Sequence, residues 1–293
     1  MIKRYTRQVS TDNVPEELIN HLAKISGLSP SEIQLTINEI QNQKLEIKQI
    51  INPFFDNLTQ NRTKDNEKKT SELIDLGKFL YKMNIGNEVK IIECGEKPDF
   101  VIKYQGELIG VEHTGMYDDK VVAEIMTLKK ILNKAQDQIK NDKKDITGLF
   151  NVIVVPSKLN ERLDRDQNKL TQLICSFVID SYYKKETEKP DFIDDLVYTP
   201  NPGFELTLGE DYWLSELTTE SIATVISKKE GKLNSYKLNR NLNKYWLLIV
   251  IGGASSASSF RMSLDKLPTR LTQFDKVYIF ENFKGTIIES IKS

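Results

Sequence analysis

Two carboxylates, Asp99 and Glu112, lie within a stretch from Lys97 to Thr114 that reads as two β-strands around one tight turn. Phe100-Val101-Ile102-Lys103-Tyr104 and Glu107-Leu108-Ile109-Gly110-Val111 are rich in β-branched and aromatic residues, and Gln105-Gly106 between them suits a two-residue hairpin loop. With that loop Tyr104 pairs with Glu107, and each later pair keeps the same sum of residue numbers, which sets Asp99 against Glu112. Opposed side chains on antiparallel strands have Cβ atoms about 4.5–5.5 Å apart, and like charges there destabilise the sheet. A hairpin selected only for folding avoids such a pair. Phe100, Ile102, Ile109 and Val111 alternate onto the core face, leaving both acids and Thr114 on the other. A divalent cation relieves the repulsion. Mg²⁺, with Mn²⁺ as its substitute, favours one or two carboxylates together with waters and phosphate oxygens, the chemistry of phosphodiester hydrolysis.

Pro98-Asp99 followed by Glu112-His113-Thr114 on the adjacent strand resembles the motif of the PD-(D/E)xK nuclease superfamily, the restriction-endonuclease-like fold. The resemblance implies an α/β fold built on a mixed β-sheet flanked by helices. It also implies a Mg²⁺-dependent endonuclease hydrolysing phosphodiester bonds of DNA, in a restriction, defence or mobile-element system, with Asp99 and Glu112 as catalytic metal ligands. One position departs from the pattern. The superfamily usually carries Lys, which positions or activates the attacking water, where this chain has Thr114. Relatives exist that take the basic group from a neighbouring helix, so lysines elsewhere become candidates. The same departure supports the alternative reading, a catalytically inactive nuclease-fold subunit that binds nucleic acid or a partner protein. DNA is the expected partner, and a homodimer or partner protein stays open. A purely structural role leaves the Asp99/Glu112 opposition unexplained.

The elements that must position these residues follow from the hydrophobic pattern. Residues 1–66 form an N-terminal helical region. Thr11-Asp12-Asn13 caps a helix from Pro15 to about Ser26, which Gly27 ends. Ser29-Pro30-Ser31-Glu32 is a capping box, and Ile33, Ile37, Ile40, Ile47 and Ile51 form a stripe at helical spacing before Pro53 stops the helix. Leu22 to Ile33 is similar to a helix-turn-helix, with Ala23, Gly27 and Ile33 at its packing positions, and the alternative is a helical hairpin packed on the core domain. Asn57 to Lys69 is polar and reads as a linker. The nuclease-like domain then spans 67–293, with an insertion at about 157–218.

In that domain Thr70 or Ser71 caps a helix to about Met83, with Leu73, Leu76 and Leu80 inward. Glu72 beside that stripe is either a third metal carboxylate, as the resemblance implies, or a first-turn acid favoured by the helix dipole. Val89 to Cys94 is a strand. After Gly115 a long helix to about Lys140 packs Ile125, Leu128, Leu132, Ala135 and Ile139 inward, with Lys129 and Gln136 on the flank as candidates to reach the site. Phe150 to Val155 is nearly all apolar, as for a central strand covered on both faces, and completes an αβββαβ order. The insertion holds a helix through Leu170, Leu173, Ile174 and Phe177, a strand from Phe204 to Leu208, and surface acids Asp191, Asp194, Asp195, Glu210 and Asp211. A helix from Thr219 to Asn239 places Lys229, Lys232 and Tyr236 on one face, which makes Lys229 and Lys232 the candidates for a displaced catalytic lysine. Tyr245 to Ile251 and Lys276 to Phe280 are two further strands. Gly252 to Ser256 matches neither a Walker A loop nor a nucleophile elbow.

The formal net charge of −1 averages segments of opposite sign. Between Lys228 and Lys244 six basic residues face one acid, so Lys228, Lys229, Lys232, Tyr236, Lys237 and Arg240 form the expected phosphate-binding surface. From Glu186 to Glu220 ten acids face Lys189 alone, a region that repels phosphate. At 293 residues and 39% apolar content the chain can build a sizeable core. Cys94 and Cys175 lack metal-ligand spacing, and Met1 to Tyr5 lacks the apolar run of a signal peptide, which makes the cytoplasm the expected compartment. The longest apolar run, Tyr245 to Ile251, is too short to cross a bilayer.

Overall fold

In the computed structural model, residues 14–52, 54–61, 63–143, 145–159, 162–209, 215–240, 242–253, 256–261 and 272–292 are described, in two compact units, Met1–Val111 and Glu112–Ser293. The first contains helices α1 (Glu16–Ser26), α2 (Pro30–Ile51), α3 (Phe54–Gln60) and α4 (Lys64–Lys82), strands β1 (Lys90–Cys94) and β2 (Phe100–Tyr104), and most of β3 (Glu107–Gly115). Gly27 ends α1 at φ 73°, its N–H donating to Ala23 O, and Ser29 and Glu32 cap α2 reciprocally. The residue flanking the start of α1 is Pro15, which makes no side-chain cap; Thr11 to Asn13 and Pro53 lie outside the described residues.

α1 and α2 form a helical hairpin around Ile19, Ala23 and Ile33, while Ile47 and Ile51, at the other end of α2, pack on Gly77 of α4. Ile40 falls between these two contacts and is exposed, unlike the other isoleucines of its stripe. Of the linker expected from Asn57 to Lys69, residues 57–60 close α3 and residues 64–69 open α4. Thr63 caps α4 by accepting from Asn66 N at 3.1 Å, Asp65 and Glu67 suit the positive helix end, and Thr70 lies inside the helix bonded to Asn66 O. The expected 66/67 domain boundary therefore falls within α4. Leu73, Leu76, Phe79 and Leu80 are its buried face, and β1, β2 and β3 form an antiparallel meander in which Phe100, Ile102, Ile109 and Val111 are buried as expected, but Val101 and Gly110 on the alternate face are buried as well.

The second unit contains α5 (Asp119–Asp142), β4 (Gly148–Val154), α6 (Arg162–Arg165), α7 (Gln167–Tyr182), β5 (Ile193–Thr199), β6 (Phe204–Gly209), β7 (Ser215–Glu216), α8 (Thr219–Asn239), β8 (Lys244–Ile251), β9 (Phe260–Arg261), β10 (Lys276–Glu281) and β11 (Thr286–Lys292). Here the strand order is β3–β8–β10–β11; β10 runs parallel to β8 and antiparallel to β11, so the sheet is mixed and the fold is α/β. β8 is the strand buried on both faces, from Tyr245 to Ile251. Its Leu247, Ile249 and Ile251 share a core with Ile222, Ile226, Leu233 and Tyr236 of α8 and Val277 and Ile279 of β10.

The expectation for Phe150 to Val155 needs correction. β4 is the middle of a separate three-stranded sheet, β5–β4–β6, and buries only alternate residues, with Leu149, Asn151 and Ile153 half-exposed on its second face. The segment read as an insertion supplies both neighbours of β4 and a helix, α7, whose Leu170, Ile174 and Val178 join the α5 core. Of the acids expected on its surface, Asp191 pairs with Arg162 at 2.7 Å, Asp194 and Asp195 are exposed, and Glu210 and Asp211 lie outside the described residues. Among the described residues no helix is long and apolar enough to cross a membrane.

Candidate functional site

The hairpin turn has Gln105 at φ 50° and Gly106 at φ 83°, the doubly left-handed geometry of a type I′ loop that matches strand twist. The register follows from it: Tyr104 pairs with Glu107, and the constant sum runs as far as Phe100 with Val111. Asp99 lies one residue before β2, in a loop closed by the Gly95 N–H donating to Asp99 O at 2.9 Å, so the expected pair of Asp99 with Glu112 is not part of the ladder, which ends where that loop begins.

In the first unit Asp99 is buried beside Glu72 and a residue the sequence reading did not select, Lys69. The Lys69 ammonium donates to Asp99 Oδ1 at 3.1 Å and lies 2.9 Å from Glu72 Oε2, with Glu96 Oε1 at 3.7 Å. The contact with Glu72 is an ion pair between two largely buried side chains. Burial alone lowers the affinity of Lys69 for its proton, but the carboxylates of Glu72 and Asp99 outweigh it and hold the ammonium above the ordinary lysine range. Cys94, nearby, has its thiol pushed up to about 11, chiefly by burial. The start of α4 at Lys64 also removes the dipole explanation for Glu72, which stands more than two turns into the helix. Only one local signal pointed to Lys69: its (i, i+3) spacing from Glu72 on a helix. Its contact with Asp99, 30 residues away, is tertiary.

In the second unit the end of β3 presents Glu112, His113 and Thr114. Glu112 and His113 are buried, and Thr114 is half-buried, its hydroxyl 3.4 Å from Gly115 O. α8 starts at a Thr218/Ser221 capping box and buries Ile222, Ile226, Leu233 and Tyr236, which leaves Lys229 on the flank of its buried stripe. Lys229 Nζ donates to Glu112 Oε1 at 2.7 Å and to His113 O at 3.0 Å. Of the two α8 lysines expected as candidates, Lys229 is thus the one that meets Glu112.

The other candidates divide. Lys228, Lys232 and Lys237 are exposed along α8, whereas Tyr236 is 3% exposed in the core and Arg240 is half-buried at the helix end, its carbonyl accepting from Tyr245. Tyr236 is therefore corrected from a phosphate-facing position to a packing one, because its ring completes the apolar stripe of α8. Gln136 Oε1 accepts from Leu206 N at 2.8 Å and so ties α5 to β6, while Lys129 is exposed on α5.

No family model, curated protein or solved structure matches the chain. Among the described residues no three His, Cys, Asp or Glu side chains are grouped as metal ligands. Glu72 and Asp99 nevertheless fit Mg²⁺ or Mn²⁺ as a donor set: both are hard oxygen donors and both are buried.

Proposed function

We propose that the chain is a metal-dependent endonuclease that hydrolyses phosphodiester bonds of DNA, using Asp99, Glu112 and Glu72 as its carboxylates and Lys229 as its basic group. The observation that carries this reading is the 2.7 Å contact of Lys229 Nζ with Glu112 Oε1, which brings a cation from α8 to the glutamate two residues before Thr114, the position where the resembling superfamily usually carries Lys. A divalent cation supplies Lewis-acid stabilisation of phosphoryl charge and lowers the pKa of water. Lys229, fixed by Glu112 and the His113 carbonyl, holds a positive charge ready for the oxygen on which charge develops. Lys228, Lys232 and Lys237 hold the DNA backbone as point charges.

The test is cleavage of plasmid DNA with Mg²⁺ or Mn²⁺. Asp99→Asn and Glu112→Gln abolish it, and Lys229→Met lowers it by about 10²–10³-fold. Undiminished cutting by Asp99→Asn or Glu112→Gln removes the assignment. The alternative, a catalytically silent subunit, is favoured by Thr114 at the usual lysine position. It expects salt-dependent DNA binding with no cleavage under either metal, binding that Lys228→Glu and Lys232→Glu weaken.

A further inference from the structure

We propose that Lys69 is a built-in counter-cation that a divalent metal must displace from Glu72 and Asp99, and that Glu96 receives the displaced ammonium. The inference rests on the metal site proposed above and adds what controls entry to it. Two buried carboxylates cannot stay charged in a poorly solvated position without a cation between them, and here the cation is the Lys69 ammonium, 2.9 Å from Glu72 Oε2 and 3.1 Å from Asp99 Oδ1. A Mg²⁺ ion coordinates oxygen at about 2.0–2.1 Å, so an ion on these two oxygens takes the space the ammonium fills. The two cations also repel, and burial weakens the screening between them.

An exit is built beside the site. Glu96 Oε1 is already 3.7 Å from Lys69 Nζ, and its side chain is 84% exposed against 12% for Lys69. The flexible four-carbon stem of lysine lets the ammonium move outward to Glu96 while its Cα stays fixed in α4. Lys68, one residue earlier, is 79% exposed and 3.6 Å from Glu72 Oε1, so it marks the solvent side of the same carboxylate. Lys69 is a positioning residue here, one that sets metal affinity and takes no part in bond breaking.

The experiment uses the full chain and two readouts, neither of them cleavage. In the first, brief acetylation of lysines by an activated ester is mapped by mass spectrometry with and without Mg²⁺, using the exposed Lys44 of α2 as the internal reference. Lys69 modification rises by about threefold or more with Mg²⁺, while Lys44 stays constant. In the second, calorimetry gives the dissociation constant for Mn²⁺: Lys69→Met binds about tenfold more tightly than the wild type, and Lys69→Arg, which keeps the cation, does not. Metal binding with unchanged Lys69 modification overturns the inference and leaves the metal site standing, as does equal or weaker Mn²⁺ affinity in Lys69→Met. Should Lys69→Met fail to fold, the modification experiment on the wild type still decides. Absence of metal binding by both wild type and Lys69→Met removes the metal site itself, and the inference with it.

Discussion

The ammonium of Lys229 lies 2.7 Å from Oε1 of Glu112, across 117 residues of chain. Both side chains are largely buried, at 16% and 5% exposure. Removing one partner of such a pair leaves a charge in a poorly solvated place, at a cost of about 3–5 kcal/mol. Glu112→Gln and Lys229→Met each lose stability of that order in urea unfolding, and the double variant loses about 1–3 kcal/mol less than the sum. Losses that simply add show that the two residues are not coupled.

Gln136 tests whether a polar residue on the flank of α5 serves the site or the scaffold. Its Oε1 accepts from Leu206 N at 2.8 Å, and Gln136→Leu leaves that N–H without its acceptor. A loss of about 1–3 kcal/mol follows, with cleavage per folded molecule unchanged. A fall in cleavage at preserved stability returns Gln136 to the catalytic set.

Gly77 is where α4 meets α2. A Cβ there sits 2.5 Å from Ile51 Cγ2 and 3.1 Å from Ile47 Cγ2, and β-branched isoleucine has little rotamer freedom in a helix. Gly77→Ala therefore destabilises by about 1–3 kcal/mol, although alanine is the better helix former by about 1 kcal/mol. Ile51→Ala removes the nearest obstructing methyl, so Gly77→Ala costs less in that background. Equal thermal shifts in both backgrounds contradict the close approach.

The thiols give a pH dependence with a definite sign. Burial pushes both Cys94 and Cys175 up to about 11 from an ordinary value of 9.0. The folded chain therefore keeps protons that the unfolded chain releases between those values. This contribution to stability is complete below about pH 8.5 and is lost as pH rises toward 11. Replacing both cysteines by alanine flattens that part of the profile between pH 8 and 10.5, measured by urea unfolding. At pH 8 iodoacetamide modifies the two thiols of the native protein much more slowly than those of the unfolded protein.

Local chemistry determined much of this protein before any tertiary contact was known. The Gln105-Gly106 turn set the register of β2 on β3, because a two-residue turn leaves one solution, whereas the period-two alternation did not show that the face carrying Val101 and Glu112 is buried too. The capping box of α2, the span of α8 and the apolar runs of β8 and β10 were legible for the same reason. A polar segment such as Asn57 to Lys69 was misread because composition reports solvent exposure, which an exposed helix and a linker share. Tertiary structure alone decided that β4 centres a second sheet, since an apolar run does not specify its neighbours. It also decided which cations meet the acids: Lys69 on Glu72 and Asp99, Lys229 on Glu112. Sequence spacing locates a carboxylate on a strand or helix, but the partner of a buried charge is set by which distant helix packs close enough to reach it.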